Sequence, residues 1–218
     1  MKTELFEQGG PEWLLSRLGR PTASQFDRIL TPKTRKPSAA QSTYRAELIA
    51  EWLMGQPLDW GTTAWMVRGT EMEDEARHYY EMIRDVEVER VGFVARDDNL
   101  TGGSPDGLVG ADGVLEIKCP LPVQHVKYLL GESPDYIGQV QGYMYLTGRA
   151  WCDFLSYHPD LPAHLERIAR DEEYLKAFVP VLDEFIEKLE ADKKRLAHHR
   201  VERPWHPNIQ AEILEANK

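Results

Sequence analysis

The sequence predicts an α/β fold, a central mixed β-sheet flanked by helices, and three observations carry that prediction. Helical apolar periodicity fills most of the chain up to about residue 84, alternating strand patterns occupy 86–95 and 108–118, and a helix, a strand and a long helix follow. The 218 residues, 42% hydrophobic and 28% charged, suffice for one full core. The chain therefore reads as a single domain over 1–218, with a helical part over 1–60, a core with its C-terminal helix over 61–200, and a tail over 201–218. No apolar run approaches the ~20 residues that span a bilayer, and MKTELFEQGG lacks the apolar segment of a signal peptide, so a cytoplasmic protein with no membrane segment is expected. Cys119 and Cys152 have no metal-ligand spacing and are expected to sit reduced and buried.

Pro11 to Leu18 opens on Pro-Glu and carries a stripe of Trp13, Leu14 and Leu18, which predicts a short helix ended at Gly19. Thr22 or Ser24 then caps a second helix bearing Phe26, Ile29 and Leu30. Arg17 and Ser24 flank that helix start, which suits either an anion or a plain cap beside a solvated arginine. The prolines, small residues and bases of 31–42 describe a mobile loop. Tyr44 to Met54 is a helix with Leu48, Ile49, Trp52 and Leu53 on its apolar side, stopped by Gly55 and Pro57. Thr62 or Thr63 caps the next helix, which carries Trp65 and Met66 and continues through Met72, Ala76, Tyr79, Tyr80 and Ile83 to about Arg84. Glu73 lies at the margin of that stripe, with Arg77 one turn on as a cation partner.

Val86 to Ala95 alternates as one strand, expected to pair with the segment that follows. Beyond that segment, Leu121 to Leu130 is predicted as a helix with Val123, Val126 and Leu129 inward. Asp135 to Thr147 is another, with Tyr136, Val140, Tyr143 and Met144 on its inner stripe and Gln139 in the same arc as Tyr143. Trp151 to Tyr157 reads as a strand, and Asp171 opens a long helix bearing Leu175, Phe178, Leu182, Phe185 and Leu189, kinked at Pro180.

The stretch that organises the chain is 103–120, GSPDGLVGADGVLEIKCP. Ser104-Pro105-Asp106-Gly107 is a turn by chemistry, and Val114 to Lys118 reads as a returning strand with Val114, Glu116 and Lys118 on one face and the apolar Leu115 and Ile117 on the other, core-facing one. With Gly110-Ala111-Asp112 as the loop and Gly113 as a left-handed bulge residue, Val109 faces Gly113 and Asp106 faces Glu116. That register converges Asp106, Glu116 and Lys118, whereas a loop one residue shorter or longer sends Asp106 to the other face. Two carboxylates so placed form a site for a hard divalent cation, most naturally Mg²⁺, and a lysine beside it can orient or deprotonate an attacking water.

Pro-Asp followed ten residues on by Glu-x-Lys is the signature of the PD-(D/E)xK nucleases, whose core is restriction-endonuclease-like. More narrowly, the chain resembles the family of phage lambda exonuclease and the YqaJ-type viral recombinases, through SRLGRPTAS (16–24), RGTEMEDEAR (68–77), the SPDG…EIKCP core, YIGQVQGYMYLTG (136–148) and the FIEKL-containing helix (170–189). The resemblance implies a Mg²⁺-dependent exonuclease, with two ions and Mn²⁺ able to substitute, digesting one strand of linear double-stranded DNA from its 5′ end. It implies metal ligation by Asp106, Glu116 and the Ile117 carbonyl, a water-linked contribution from Glu73, activation of water by Lys118, and a 5′-phosphate pocket of Arg17, Ser24, Ser104 and Gln139. It further implies a homotrimeric ring, processive digestion, a phage or prophage origin in a bacterial cell, and a single-strand annealing protein as partner. A structure-specific endonuclease on the same fold, or a DNA-binding module with a degenerate site, are the alternatives.

The net charge of −10 argues against nucleic acid only on average. Arg17 to Arg45 holds seven bases against Asp27, while Glu71 to Arg90 holds eight acids against three bases, so a basic arm for DNA sits beside an acidic body. The tail around Trp205 and the acidic segment are the surfaces expected to meet a neighbour's arm in a ring.

Overall fold

The computed structural model describes residues 2–4, 8–58, 64–132 and 136–200, with side chains in the third helix from 72 onward. The first part comprises β1 (Lys2–Glu4), α1 (Pro11–Arg17), a 3-10 turn (Ala23–Arg28), β2 (Leu30–Thr31), β3 (Lys36–Pro37), α2 (Gln41–Met54) and α3 (Ala64–Arg84). There follow β4 (Val88–Glu89), β5 (Phe93–Ala95), β6 (Gly102–Gly103), β7 (Gly107–Val109) and β8 (Gly113–Lys118). The chain then forms α4 (Pro122–Leu129), α5 (Ile137–Thr147), β9 (Trp151–Ser156), β10 (His164–Ala169) and α6 (Glu172–Leu196). The main sheet has the order β10-β9-β8-β7-β4 and is mixed, as expected: β8 and β9 run parallel and the other pairs antiparallel. A parallel pair cannot close through a tight turn, and residues 119–150, carrying α4 and α5, supply the crossover.

Strand β8 has both faces covered. Leu115 and Ile117 pack with Ala76 and Tyr80 of α3, while Val114 joins the larger cluster built with α5, α6 and the 3-10 turn. The expectation of one apolar, core-facing side is thus too narrow, because α5 roofs the face that carries Glu116. Helix α5 is buried from Gly138 through Met144, and it approaches the 3-10 turn so closely that a Cβ at Gly142 would lie 2.5 Å from the Phe26 ring. Helix α6 begins at Asp171, whose carboxylate caps the Tyr174 N–H at 2.9 Å, and runs as one helix through Pro180.

Several expectations are corrected. The helix begun at Thr22 is a six-residue 3-10 turn with no side-chain cap, and Leu30 already belongs to a strand. The loop predicted over 31–42 is instead the β2–β3 hairpin followed by the first residues of α2. Val86 to Ala95 is not one strand: β4 pairs with β7, whereas β5 sits between β1 and β6 in a second sheet, and neither β1 nor β10 was anticipated. On α4 the assigned face is inverted, with His125 and Tyr128 buried and Val123, Val126 and Leu129 exposed. His125 can be buried because its two ring nitrogens meet the Ser156 hydroxyl at 2.7 Å and the Pro162 carbonyl at 2.9 Å. Ile83 is exposed, and Cys119 is half-buried just past β8 while Cys152 is buried, both as free thiols. The caps at Thr62 or Thr63, the side chains of Trp65 and Met66, and the tail around Trp205 lie outside the described residues.

Candidate active site

The β7–β8 register pairs Val109 with Gly113, so the loop is Gly110-Ala111-Asp112 as the sequence suggests. The left-handed residue is Gly110 (φ 53°), not Gly113. Gly113 is required for space instead, since a Cβ there would lie 2.1 Å from the Trp151 ring. This register carries Asp106 to the start of the ladder, where its N–H donates to the Leu115 carbonyl at 3.2 Å and its Oδ2 accepts from the Ile117 N–H at 2.6 Å. The charge of Asp106 helps to raise the Glu116 carboxyl, so the two acids lie within electrostatic reach of one another.

Burial raises both acids. Asp106, with Glu73 adding repulsion, is pushed up to about 7, and Glu116, despite the nearby Lys118 ammonium, to about 8. For Lys118, burial opposes the charge, but Glu116 and Asp106 outweigh it and hold the ammonium above its ordinary pKa. Its Nζ contacts Glu116 Oε1 and lies 4.9 Å above the Tyr136 ring.

Glu116 is 1% exposed, and its two oxygens are unequal. Oε1 accepts from Gln139 Nε2 at 2.7 Å and from Lys118, whereas Oε2 is buried with no hydrogen-bond partner. A donor-free carboxylate oxygen beside a second buried carboxyl is costly in a dry interior and is what a bound cation satisfies, so these residues fit a hard divalent ion. Glu73, on α3, is raised by burial first and by Glu116 second, which places it within electrostatic reach of the pair. Its expected partner Arg77 binds Asp74 instead, at 2.7 Å. Among the described residues no group of three or more His, Cys, Asp or Glu side chains is placed to hold a metal ion.

A second cluster adjoins the first. The Ser104 hydroxyl accepts from the Trp13 indole N–H at 2.7 Å and from Arg17 Nη1 at 3.4 Å, and Arg17 Nη2 reaches Ser24 Oγ at 3.2 Å and Thr22 Oγ1 at 3.4 Å. The Arg17 guanidinium also lies 4.5 Å over the Trp13 ring, and burial depresses its pKa. Arg17, Ser24 and Ser104 are therefore brought together, and Gln139 lies between them and Glu116. Tyr143 completes the link, accepting from Gln139 Nε2 at 2.8 Å and donating to the Ser104 carbonyl at 3.0 Å. Sequence reasoning gave Trp13 and Tyr143 to apolar stripes; the only signal for Tyr143 was its i+4 spacing from Gln139.

The basic arm does not present itself as a free set of charges. Arg28 pairs with Glu47 at 2.6 Å, Arg35 with Asp171 at 2.8 Å and Arg45 with Asp192 at 3.1 Å. Lys33 and Lys36 are exposed.

The mixed sheet with its buried acidic pair has the fold of the alkaline exonucleases. An alkaline exonuclease (LHK-Exo) from Laribacter hongkongensis is similar at 36% identity and TM-score 0.77, over 86% of this chain and 96% of that one. The same enzyme in complex with dAMP gives TM-score 0.76, again at 36% identity, over 86% and 98% of the two chains. A phage-related exonuclease from Haemophilus somnus 129PT shares the fold at TM-score 0.59 and 16% identity, over 79% of this chain and 96% of that chain. The family model of the YqaJ-like viral recombinase domain matches residues 12–150, and the chain belongs to that family. No curated protein matches the chain. No helix among the described residues is long and apolar enough to cross a membrane.

Proposed function

We propose that this protein is a divalent-metal-dependent exonuclease that digests one strand of linear duplex DNA, starting from a 5′-phosphorylated end. The observation that carries the reading is the bare Oε2 of buried Glu116, set against Asp106 and beside Lys118. Asp106 and Glu116 would hold the ion, with the Ile117 carbonyl and Glu73 contributing; Mg²⁺, as one or two ions, is the natural occupant, and Mn²⁺ is an alternative. When bound, the ion supplies Lewis-acid stabilisation of the attacking and leaving oxygens.

The residues of the chain do the rest. The Ile117 N–H fixes the Asp106 rotamer, and Gln139 and Lys118 together orient Glu116. Lys118, held charged by its two acidic neighbours, orients the water and takes part in its proton transfer once those acids are engaged elsewhere. Arg17, Ser24 and Ser104 offer a cation and hydroxyl donors to a terminal phosphate, and charge-assisted bonds of that kind are roughly twice as strong as neutral ones. The family, and the LHK-Exo complex with dAMP, a nucleoside monophosphate, support this substrate class. A homotrimeric ring, processive digestion and an annealing-protein partner belong to the same proposal, the ring offering a way to keep an acidic protein on DNA.

Matched linear and closed-circular duplexes, incubated with Mg²⁺, test the reading. We expect mononucleotide release from the linear form alone, faster from a 5′-phosphoryl than a 5′-hydroxyl end. Nicking or linearisation of the circle would replace the exonuclease with an endonuclease, and no cleavage of either, with DNA binding intact, would leave a binding module.

A further inference from the structure

Between the end pocket and the acidic pair runs a hydrogen-bond chain whose direction is fixed by chemistry. The Ser104 carbonyl can only accept, so the Tyr143 hydroxyl must donate to it. That hydroxyl, its hydrogen spent, must accept from Gln139 Nε2, and the same nitrogen gives its second hydrogen to Glu116 Oε1. Turning the Gln139 amide over would set its oxygen against both a carboxylate and a lone pair. Gln139 thus has both amide hydrogens committed, which leaves it no donor for a phosphate.

Packing leaves the chain little freedom. Tyr143 is 2% exposed, and its ring sits against Gly103, where a Cβ would lie 2.8 Å from Cε1. Ser104, Gln139 and Glu116 are buried too. One end of the chain is the residue that Trp13 and Arg17 bind, and the other is the carboxylate whose free oxygen faces the candidate metal position.

We infer that Gln139 and Tyr143 are positioning residues that couple the two halves of the site, holding Glu116 for the metal and transmitting engagement of a 5′ end at Ser104 to that carboxylate. This rests on the proposed metal-dependent exonuclease. Coupling between sites is reciprocal: if metal tightens end binding by some factor, a bound 5′-phosphoryl end tightens metal by the same factor. Tyr143→Phe keeps the ring and deletes the link, leaving the Ser104 carbonyl and one Gln139 hydrogen unpaired.

The experiment measures binding and not turnover. Mg²⁺ affinity of the intact protein is read by calorimetry without DNA, and affinity for a 5′-phosphorylated duplex with a non-hydrolysable terminal linkage is read with and without Mg²⁺. For Tyr143→Phe we expect a metal affinity about five- to tenfold weaker, the scale of one buried hydrogen bond, and loss of most of the Mg²⁺ enhancement of end binding. For Gln139→Leu we expect the same weakening of metal while the preference for 5′-phosphoryl over 5′-hydroxyl ends stays within about twofold of wild type, the margin of a residue without a phosphate bond. A Tyr143→Phe protein with unchanged metal affinity and enhancement overturns the coupling, and a Gln139→Leu protein that keeps its metal but loses the end preference makes Gln139 a phosphate ligand. Wild-type protein that binds neither Mg²⁺ nor phosphorylated ends would instead defeat the exonuclease reading on which the coupling rests.

Discussion

Two buried carboxylates on neighbouring strands are treated in opposite ways. Glu116 on β8 and Asp153 on β9 lie one residue apart in the register and face opposite sides of the sheet. Asp153 is 0% exposed and fully met: Oδ1 accepts from Arg167 Nε at 2.7 Å, and Oδ2 accepts from Arg167 Nη2 and the Tyr80 hydroxyl, both at 2.8 Å. Arg84 stands 3.7 Å from the same oxygen. Glu116 is as deeply placed, yet one oxygen is bare and another acid adjoins it. Burial alone therefore does not mark a site. The donor set does, because a saturated charge stabilises the fold while an unsatisfied one stores a demand for a ligand.

The largest expected effect sharpens this contrast. Lys118→Ala should lower cleavage by about 10²- to 10⁴-fold, and Glu116→Gln by at least as much, the Glu116→Gln protein melting at or above wild type because that change removes like-charge repulsion. Retention of more than about a tenth of the activity by Lys118→Ala would take the lysine out of the proton transfer. Asp153→Ala should do the reverse, costing about 3 kcal/mol of stability in denaturant unfolding with metal affinity unchanged. That figure is the low end for a broken buried pair, since Arg167 and Arg84 both reach solvent. An Asp153→Ala protein of normal stability would erase the distinction between the two acids.

A smaller effect concerns pH. Asp106 and Glu116 are raised to about 7 and about 8 in the fold, against roughly 4 when unfolded, so their contribution to stability is complete below about pH 4 and is lost as pH rises through the folded values. In EDTA the melting temperature should fall between about pH 4 and pH 8 and level off above, and Mg²⁺ should restore more of it at the upper end, where the acids are already ionised. Asp106→Asn should flatten the slope. A wild-type curve in EDTA that stays level across that range would mean the pair is not coupled as described.

Some of this was legible in the sequence for physical reasons. The Val109–Gly113 register follows from turn chemistry and strand alternation, both local, and it alone sets Asp106 beside Glu116. What failed depended on distant partners. Hydrophobic periodicity turned Val123 inward on α4 and left His125 out, because nothing near His125 in sequence announces Ser156 or the Pro162 carbonyl. The arm was read as free for DNA because the acids that engage Arg35 and Arg45 lie 136 and 147 residues away. Gly113 was given to the turn, when its reason is the Trp151 ring three elements later.

The parallel pairing of β8 with β9 bears on how the protein is synthesised. A nascent chain that has left the ribosome only as far as Lys118 can close the hairpin and set Asp106 beside Glu116, but the residues that orient and roof them, Gln139 and Tyr143 on α5 and the whole of β9, are not yet made. The sheet's central strand gains its second neighbour only when synthesis passes Ser156. If the site is a nuclease, translation order keeps it inert until most of the polypeptide exists, and the pair that forms first is among the last to be placed in working surroundings.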